Sequence, residues 1–311
     1  MEGRDPFMET GPKEITVTRN LLARLRALSV SMLVLAFALP ALADDPADPA
    51  ADDLASRFSG VFQVDFTNAY YFRGILQERE GTIFQPWAEG YFSLYSSDTG
   101  PSRSVSIGAG TWNSFHSERT LADNTNQWWY ECDLYPIITI GFGGGLTLNT
   151  VYYFYNSENG AFSTVQELNF KLSWDDSDTF GAFSVKPWIN LAFETNNTSF
   201  GPDKGTGLQA GIAPTLWESK IEAFPVTLTA PAEIGLSLSD YYENAGGGEN
   251  TFGYANVGLL ASLPLKFMPE NLGSWTLSAG GKYYAFSETL ENANRGKSTY
   301  PVGTLSLGVA F

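Results

Sequence analysis

A two-residue period, held over segments far longer than a usual strand, is the feature that most constrains this chain. The last eight residues show it plainly: Leu305, Leu307, Val309 and Phe311 alternate with Thr304, Ser306, Gly308 and Ala310. The same alternation runs from Val226 to Ser239, from Phe183 to Glu194 and from Glu167 to Trp174. Successive side chains on a strand point to opposite faces, so each segment has one greasy and one polar face. Reading the chain this way predicts twelve strands, over 60–73, 83–95, 103–114, 129–141, 145–156, 164–175, 181–194, 206–217, 225–239, 252–264, 274–287 and 301–311. Globular strands cluster at about five or six residues, whereas a tilted strand crossing a bilayer needs about nine to eleven. No amphipathic helical pattern of comparable length follows Ala43.

The predicted fold is all-β: a closed antiparallel transmembrane barrel of about 12 strands, with short periplasmic turns and longer extracellular loops. Compact turns such as Gly141–Gly144 alternate with polar loops at 114–126, 195–205, 241–250 and 287–299. Closure is required, because an open edge in lipid leaves backbone groups unpaired. Aromatic clusters at Tyr70-Tyr71-Phe72, Trp128-Trp129-Tyr130, Tyr152–Tyr155 and Tyr283-Tyr284 are expected at the membrane interfaces. A soluble sandwich turns its greasy face inward and has no need of such long strands. Pro86, Pro136, Pro187, Pro214 and Pro231 fall inside the predicted strands, so several are expected to mark bulges.

Composition bounds function. A net charge of -16 opposes a nucleic-acid binder, which needs basic surface. One Cys leaves no intrachain disulfide and no Cys cluster for structural zinc or iron–sulfur chemistry, one His leaves any His-dependent mechanism to a single residue, and no cofactor is expected. Arg19, Arg24 and Arg26 precede an apolar stretch closing on Ala41-Leu42-Ala43, the three parts of a signal peptide, expected to be cleaved after residue 43. Residues 44–56 then form an acidic Pro/Ala leader, and 57–311 the barrel. Removal of five bases and four acids leaves 13 against 30, a net charge of -17. Export to the bacterial outer membrane follows, with lipid as the surrounding solvent and the chain a monomer.

The run Val64-Asp65-Phe66-Thr67-Asn68-Ala69-Tyr70-Tyr71-Phe72-Arg73-Gly74-Ile75-Leu76-Gln77, with Gln85-Pro86-Trp87 and Gly108–Ser114, resembles the TorF-like family of proteobacterial outer-membrane β-barrel proteins. Members open with a tyrosine followed by Phe-Arg-Gly and carry a Gly-x-Trp-x-Ser element on the third strand. Leu76 and Ala69 depart from that pattern. The resemblance implies an outer-membrane barrel. The terminal Phe311 likewise resembles the signal that such barrels present to their assembly machinery.

Alternation turns inward seven acids, Asp65, Glu89, Glu131, Asp133, Glu167, Glu194 and Glu233, and four bases, Arg73, Lys171, Lys186 and Lys282. Ionisable groups facing a lumen are the functional candidates. They either neutralise one another across a filled interior or line a narrow passive channel for small solutes, cation-favouring because acids outnumber bases. Inward Trp87, Trp112, Trp188, Tyr91, Tyr95, Tyr135 and Tyr153 would narrow it, and stacked aromatics could form a track for sugars, though bulky filling is the simpler reading. Arg73 is expected either to select solutes at an eyelet or to clamp the first loop to Glu89 or Glu131. The alternative to a channel is a non-conducting structural or interaction barrel. A hydrolase is disfavoured: His116 and Ser117 are neighbours, so on a strand they face opposite ways, and His116 is read as the start of a solvated loop.

Overall fold

The computed structural model describes residues 54–118, 128–222, 224–244 and 248–311. The predicted signal peptide, most of the acidic leader and much of the 114–126 loop lie outside the described residues.

Twelve wall strands form one closed antiparallel sheet: β1 (Phe58–Thr67), β2 (Ile83–Ser96), β3 (Ser102–His116), β4 (Trp129–Phe142), β5 (Leu146–Ser157), β6 (Val165–Trp174), β7 (Trp188–Asn196), β8 (Thr206–Ile212, resuming at Thr215–Glu218), β9 (Thr227–Thr229, resuming at Ala232–Ser239), β10 (Phe252–Pro264), β11 (Ser274–Phe286) and β12 (Thr299–Ala310). Each pairs with its chain neighbours, and β1 pairs with β12, Val64 opposite Leu307, which closes the ring. Phe311 extends the seam, since its N–H donates to the Gly60 carbonyl (3.0 Å) and its carbonyl accepts from the Gly60 N–H (2.8 Å). Pro214 and Pro231 sit in the two interruptions, which lie side by side in the sheet, where the Ala230 N–H reaches the Pro214 carbonyl at 3.0 Å. Missing N–H donors are tolerated where the ladder already breaks.

Every wall strand carries a large apolar side chain exposed on its outer face. These include Phe66, Leu94, Ile107, Ile138, Leu146, Phe170, Ile189, Ile212, Ile234, Val257, Leu277 and Leu305, each 37–59% exposed. A polar-lined interior wrapped in a greasy belt inverts the order of a water-soluble sheet. Among the described residues no helix is long and apolar enough to cross a membrane.

Three expectations change. The first strand ends at Thr67 rather than residue 73; the chain leaves the wall and turns inward as a hairpin, Tyr70–Phe72 against Ile75–Glu78. Tyr70, Tyr71 and Phe72 therefore lie within this hairpin and not at an interfacial girdle. The strand expected from residue 181 begins at Trp188, because the preceding residues form a turn with a short helix α1 (Ser177–Phe180) closed around Asp176. Asp176 is 1% exposed and accepts from the Ser184 hydroxyl and from the N–H groups of Val185 (3.1 Å) and Lys186 (2.9 Å). Burial alone would raise its carboxyl, but these hydrogen bonds outweigh it and hold the group below the usual aspartate range. Lys186, expected inward, has a left-handed backbone (φ 48°) in this turn and is exposed. Consequently the turns at the terminal end are not all short.

Candidate functional site: a plugged lumen

The hairpin is built by its own alternation. Phe72 pairs with Ile75 across a two-residue turn, Arg73 (φ 46°) and Gly74 (φ 83°), the positive-φ pair of a tight hairpin. Tyr71 points one way, into a cluster with Tyr254, Phe286 and Leu290; Tyr70 and Phe72 point the other, towards β3, β4 and β5. A fully buried apolar side chain contributes roughly 2 kcal/mol, and Leu76, Tyr254 and Leu290 are all at most 2% exposed. A side chain at Gly74 would meet the Tyr254 ring at 2.8 Å.

Polar contacts pin the tip. Helix α2 (Glu288–Ala293) ends at Asn294, which is wholly buried, accepts from the Leu76 N–H (2.9 Å) and donates to the Gly74 carbonyl (2.8 Å). The Tyr242 hydroxyl donates to the Arg73 carbonyl at 3.1 Å. The Arg73 guanidinium crosses to β6, where it pairs with Glu167 and donates to Tyr241 Oη and to Asn169 Oδ1 (3.0 Å). Glu167 is 0% exposed and also accepts from Tyr155 Oη, Tyr241 Oη and Asn169 Nδ2, all at 3.0 Å. Arg73 thus ties the first loop to the wall, through Glu167 and not through the expected Glu89 or Glu131.

The other candidates separate into groups. Glu131 is buried at a bulge of β4 opposite Ser114 and Phe115, and accepts from the hairpin's Tyr70 Oη at 2.9 Å. Asp65 accepts from Gln63 Nε2 (2.8 Å) and Trp87 Nε1 (3.3 Å) within its own wall. Glu194 is a loop anchor: it accepts from the N–H groups of Ser199 and Gly205 (2.8 Å) and shapes the loop after β7. Lys282 lies on β11 opposite Gly258. Glu89, Asp133, Lys171 and Glu233, from four different strands, line one chamber of about 500 Å³ beneath the hairpin. The Tyr135 hydroxyl donates to Glu89 (3.1 Å), Tyr254 donates to Glu233, and Lys171 Nζ lies 4.6 Å from the Trp188 ring centre. Trp188 begins β7, so the chamber extends to the terminal end of that strand.

His116 is not a solvated loop residue. It ends β3 at 5% exposure, stacks on Tyr130 at 4.4 Å between ring centres, and Nε2 lies 2.8 Å from Ser114 Oγ. Ser117 faces the other way, whereas Ser114, two residues before His116, shares its face by the same alternation. Ser114 is 0% exposed, and its Oγ also accepts from Gln85 Nε2 at 3.1 Å. Cys132 alternates with chamber-lining Asp133 and is 2% exposed. Among the described residues no group of His, Cys, Asp and Glu is arranged to hold a metal ion.

No family model matches the chain, and no curated protein matches it in sequence. Solved structures similar in fold include an outer membrane channel from Pseudomonas putida F1 (TM-score 0.44, 11% identity, 82% of this chain and 95% of that one). The NanC porin is similar too (0.42, 11%, 80% and 98%), as is outer membrane phospholipase A from Escherichia coli (0.38, 11%, 81% and 92%).

Proposed function

We propose that this protein is an outer-membrane barrel that serves as a narrow passive channel for small solutes, plugged on its loop side by the inward hairpin. The observation that carries the reading is the pairing of an exposed apolar belt on all twelve strands with a polar, charged chamber inside. In this orientation the loops face outside and both strand termini face the periplasm. Phe72-Arg73-Gly74, part of the run that resembles the TorF-like family, builds the plug, which gives that run a physical role. The chamber's acids, Glu89, Asp133 and Glu233, outnumber its lysine, so small cations are favoured. The same clamp supports a second reading, a barrel held closed whose loops contact a partner outside the cell. The Ser114–His116 pair is read as structural, because a nucleophile at 0% exposure offers no attack path.

Planar-bilayer recording of refolded protein tests the proposal. Small, cation-selective steps are expected; a sealed membrane at all voltages would leave only the closed-barrel reading.

A further inference from the structure

The two sides of the hairpin differ. The Tyr71 side is packed solid against β10 and β11, whereas the Phe72 side borders open space along β4, β5 and β6. Cavities on that open side share walls in sequence. A groove of about 520 Å³ between the loops at 158–164 and 197–205 shares Phe162 and Thr198 with a cavity of about 220 Å³. That cavity, with Glu131 in its lining, shares Phe72 and Tyr155 with the chamber. The Phe72 and Tyr155 rings are 5.1 Å apart, centre to centre, and tilted edge to face. Three adjoining cavities thus run from the loop end to the chamber, and the contact between these two rings stands between the last two.

The chamber presents unmet chemistry. Asp133 is 5% exposed and its carboxyl also hydrogen-bonds Glu131, but its Oδ1 has no partner; Gln209 is 4% exposed and its Nε2 has no partner; both residues line the space. Buried polar atoms without partners are costly, so an orphan acceptor and an orphan donor in one cavity describe a ligand offering the converse. Its cationic donor would meet Asp133 and its neutral acceptor Gln209. Trp112 and Trp188 add aromatic faces suited to the C–H face of a sugar ring, and Asn149 and Asn190 add amides suited to hydroxyls. A neutral sugar leaves the carboxylate unmatched, and a plain alkylammonium leaves the amide unmatched. The charge balance agrees: Glu89, Asp133 and Glu233 face Lys171 and an Arg73 already paired with Glu167.

We propose that the chamber binds protonated amino sugars, which reach it from the loop end when the Phe72 ring swings away from Tyr155. The proposal rests on the reading of the lumen as a solute path, but binding and conduction are measured separately. Calorimetric titration of the full refolded chain in detergent, at about pH 6 and so below the ordinary amine range, compares glucosamine with glucose and N-acetylglucosamine. The expected result is saturable glucosamine binding, with both neutral sugars weaker by about tenfold or more, the worth of one charge-assisted hydrogen bond. Asp133→Asn should abolish that preference, and Phe72→Ala should raise the association rate several-fold. Equal affinity for the three sugars, or none for glucosamine, overturns the chamber assignment on the wild-type protein alone. An unchanged association rate in Phe72→Ala overturns the route. Glucosamine binding without conductance would remove the channel and leave the chamber assignment standing.

Discussion

The Arg73–Glu167 pair joins residues 94 positions apart and holds the plug in place, so removing either partner should release the hairpin without dismantling the wall. Breaking a buried ion pair from one side costs about 3–5 kcal/mol. The two sides differ here. In Arg73→Ala, Glu167 keeps three donors, Tyr155 Oη, Tyr241 Oη and Asn169 Nδ2, each worth about 1 kcal/mol, which places the loss near the lower end. In Glu167→Ala, the guanidinium keeps Asn169 Oδ1, Tyr241 Oη and the Phe72 ring at 5.1 Å, and its full charge is stranded, so the upper end is expected. Because each single variant strands the other charge, the double variant should cost less than the sum, with a coupling of about 2 kcal/mol. The Leu76 amide, bonded to Asn294 inside the plug, reports the opening by hydrogen exchange. A loss of about 3 kcal/mol corresponds to exchange roughly two orders of magnitude faster. Additive single effects, or Leu76 protection unchanged in Arg73→Ala, would refute the clamp.

Other consequences are equally open to measurement. Gly74→Ala combines a left-handed backbone with a 2.8 Å approach to Tyr254, so the hairpin should loosen by at least about 1 kcal/mol, seen at the same Leu76 amide. Asp176 has a folded carboxyl below its unfolded value, so its contribution is full above the ordinary aspartate pKa of about 3.9 and is lost as pH falls through the folded value. Exchange at Val185 and Lys186 should therefore accelerate, beyond the intrinsic pH effect, between about pH 5 and pH 2, and Asp176→Asn should remove that pH dependence. A fluorophosphonate probe should leave Ser114 unlabelled; labelling that disappears in His116→Ala would establish a hydrolase instead.

Much of the wall was legible because a barrel repeats one simple rule. Predicted and observed limits of β2 to β6 and β8 to β11 agree to within two residues, since each of these strands alternates along the full height of one closed sheet. The first strand ends earlier than its pattern because Tyr70-Tyr71-Phe72 alternates as faithfully inside the hairpin as it would in the wall. Period two records that a segment is extended, not which sheet it joins. The residues before Trp188 alternate too, but Asp176 gathers their backbone into a turn, a contact at separations of nine and ten residues that no periodicity carries. The site shows the same division. Inward faces were readable, and they place Glu89, Asp133, Lys171 and Glu233 around one chamber. The partner of Arg73 and the loop role of Glu194 depend on other chain segments, and the Ser114–His116 contact on an i, i+2 spacing that alternation permits without selecting.

Replacing the hairpin, residues 69–80, by a short Gly/Ser linker and recording single-channel conductance beside the wild-type chain tests the central claim most directly. If the wall is a lipid-spanning barrel and the hairpin its plug, the variant still refolds and conducts in steps several-fold larger than wild type, with cation preference retained by the chamber acids. A variant that refolds into bilayers yet conducts no better than wild type would contradict the account.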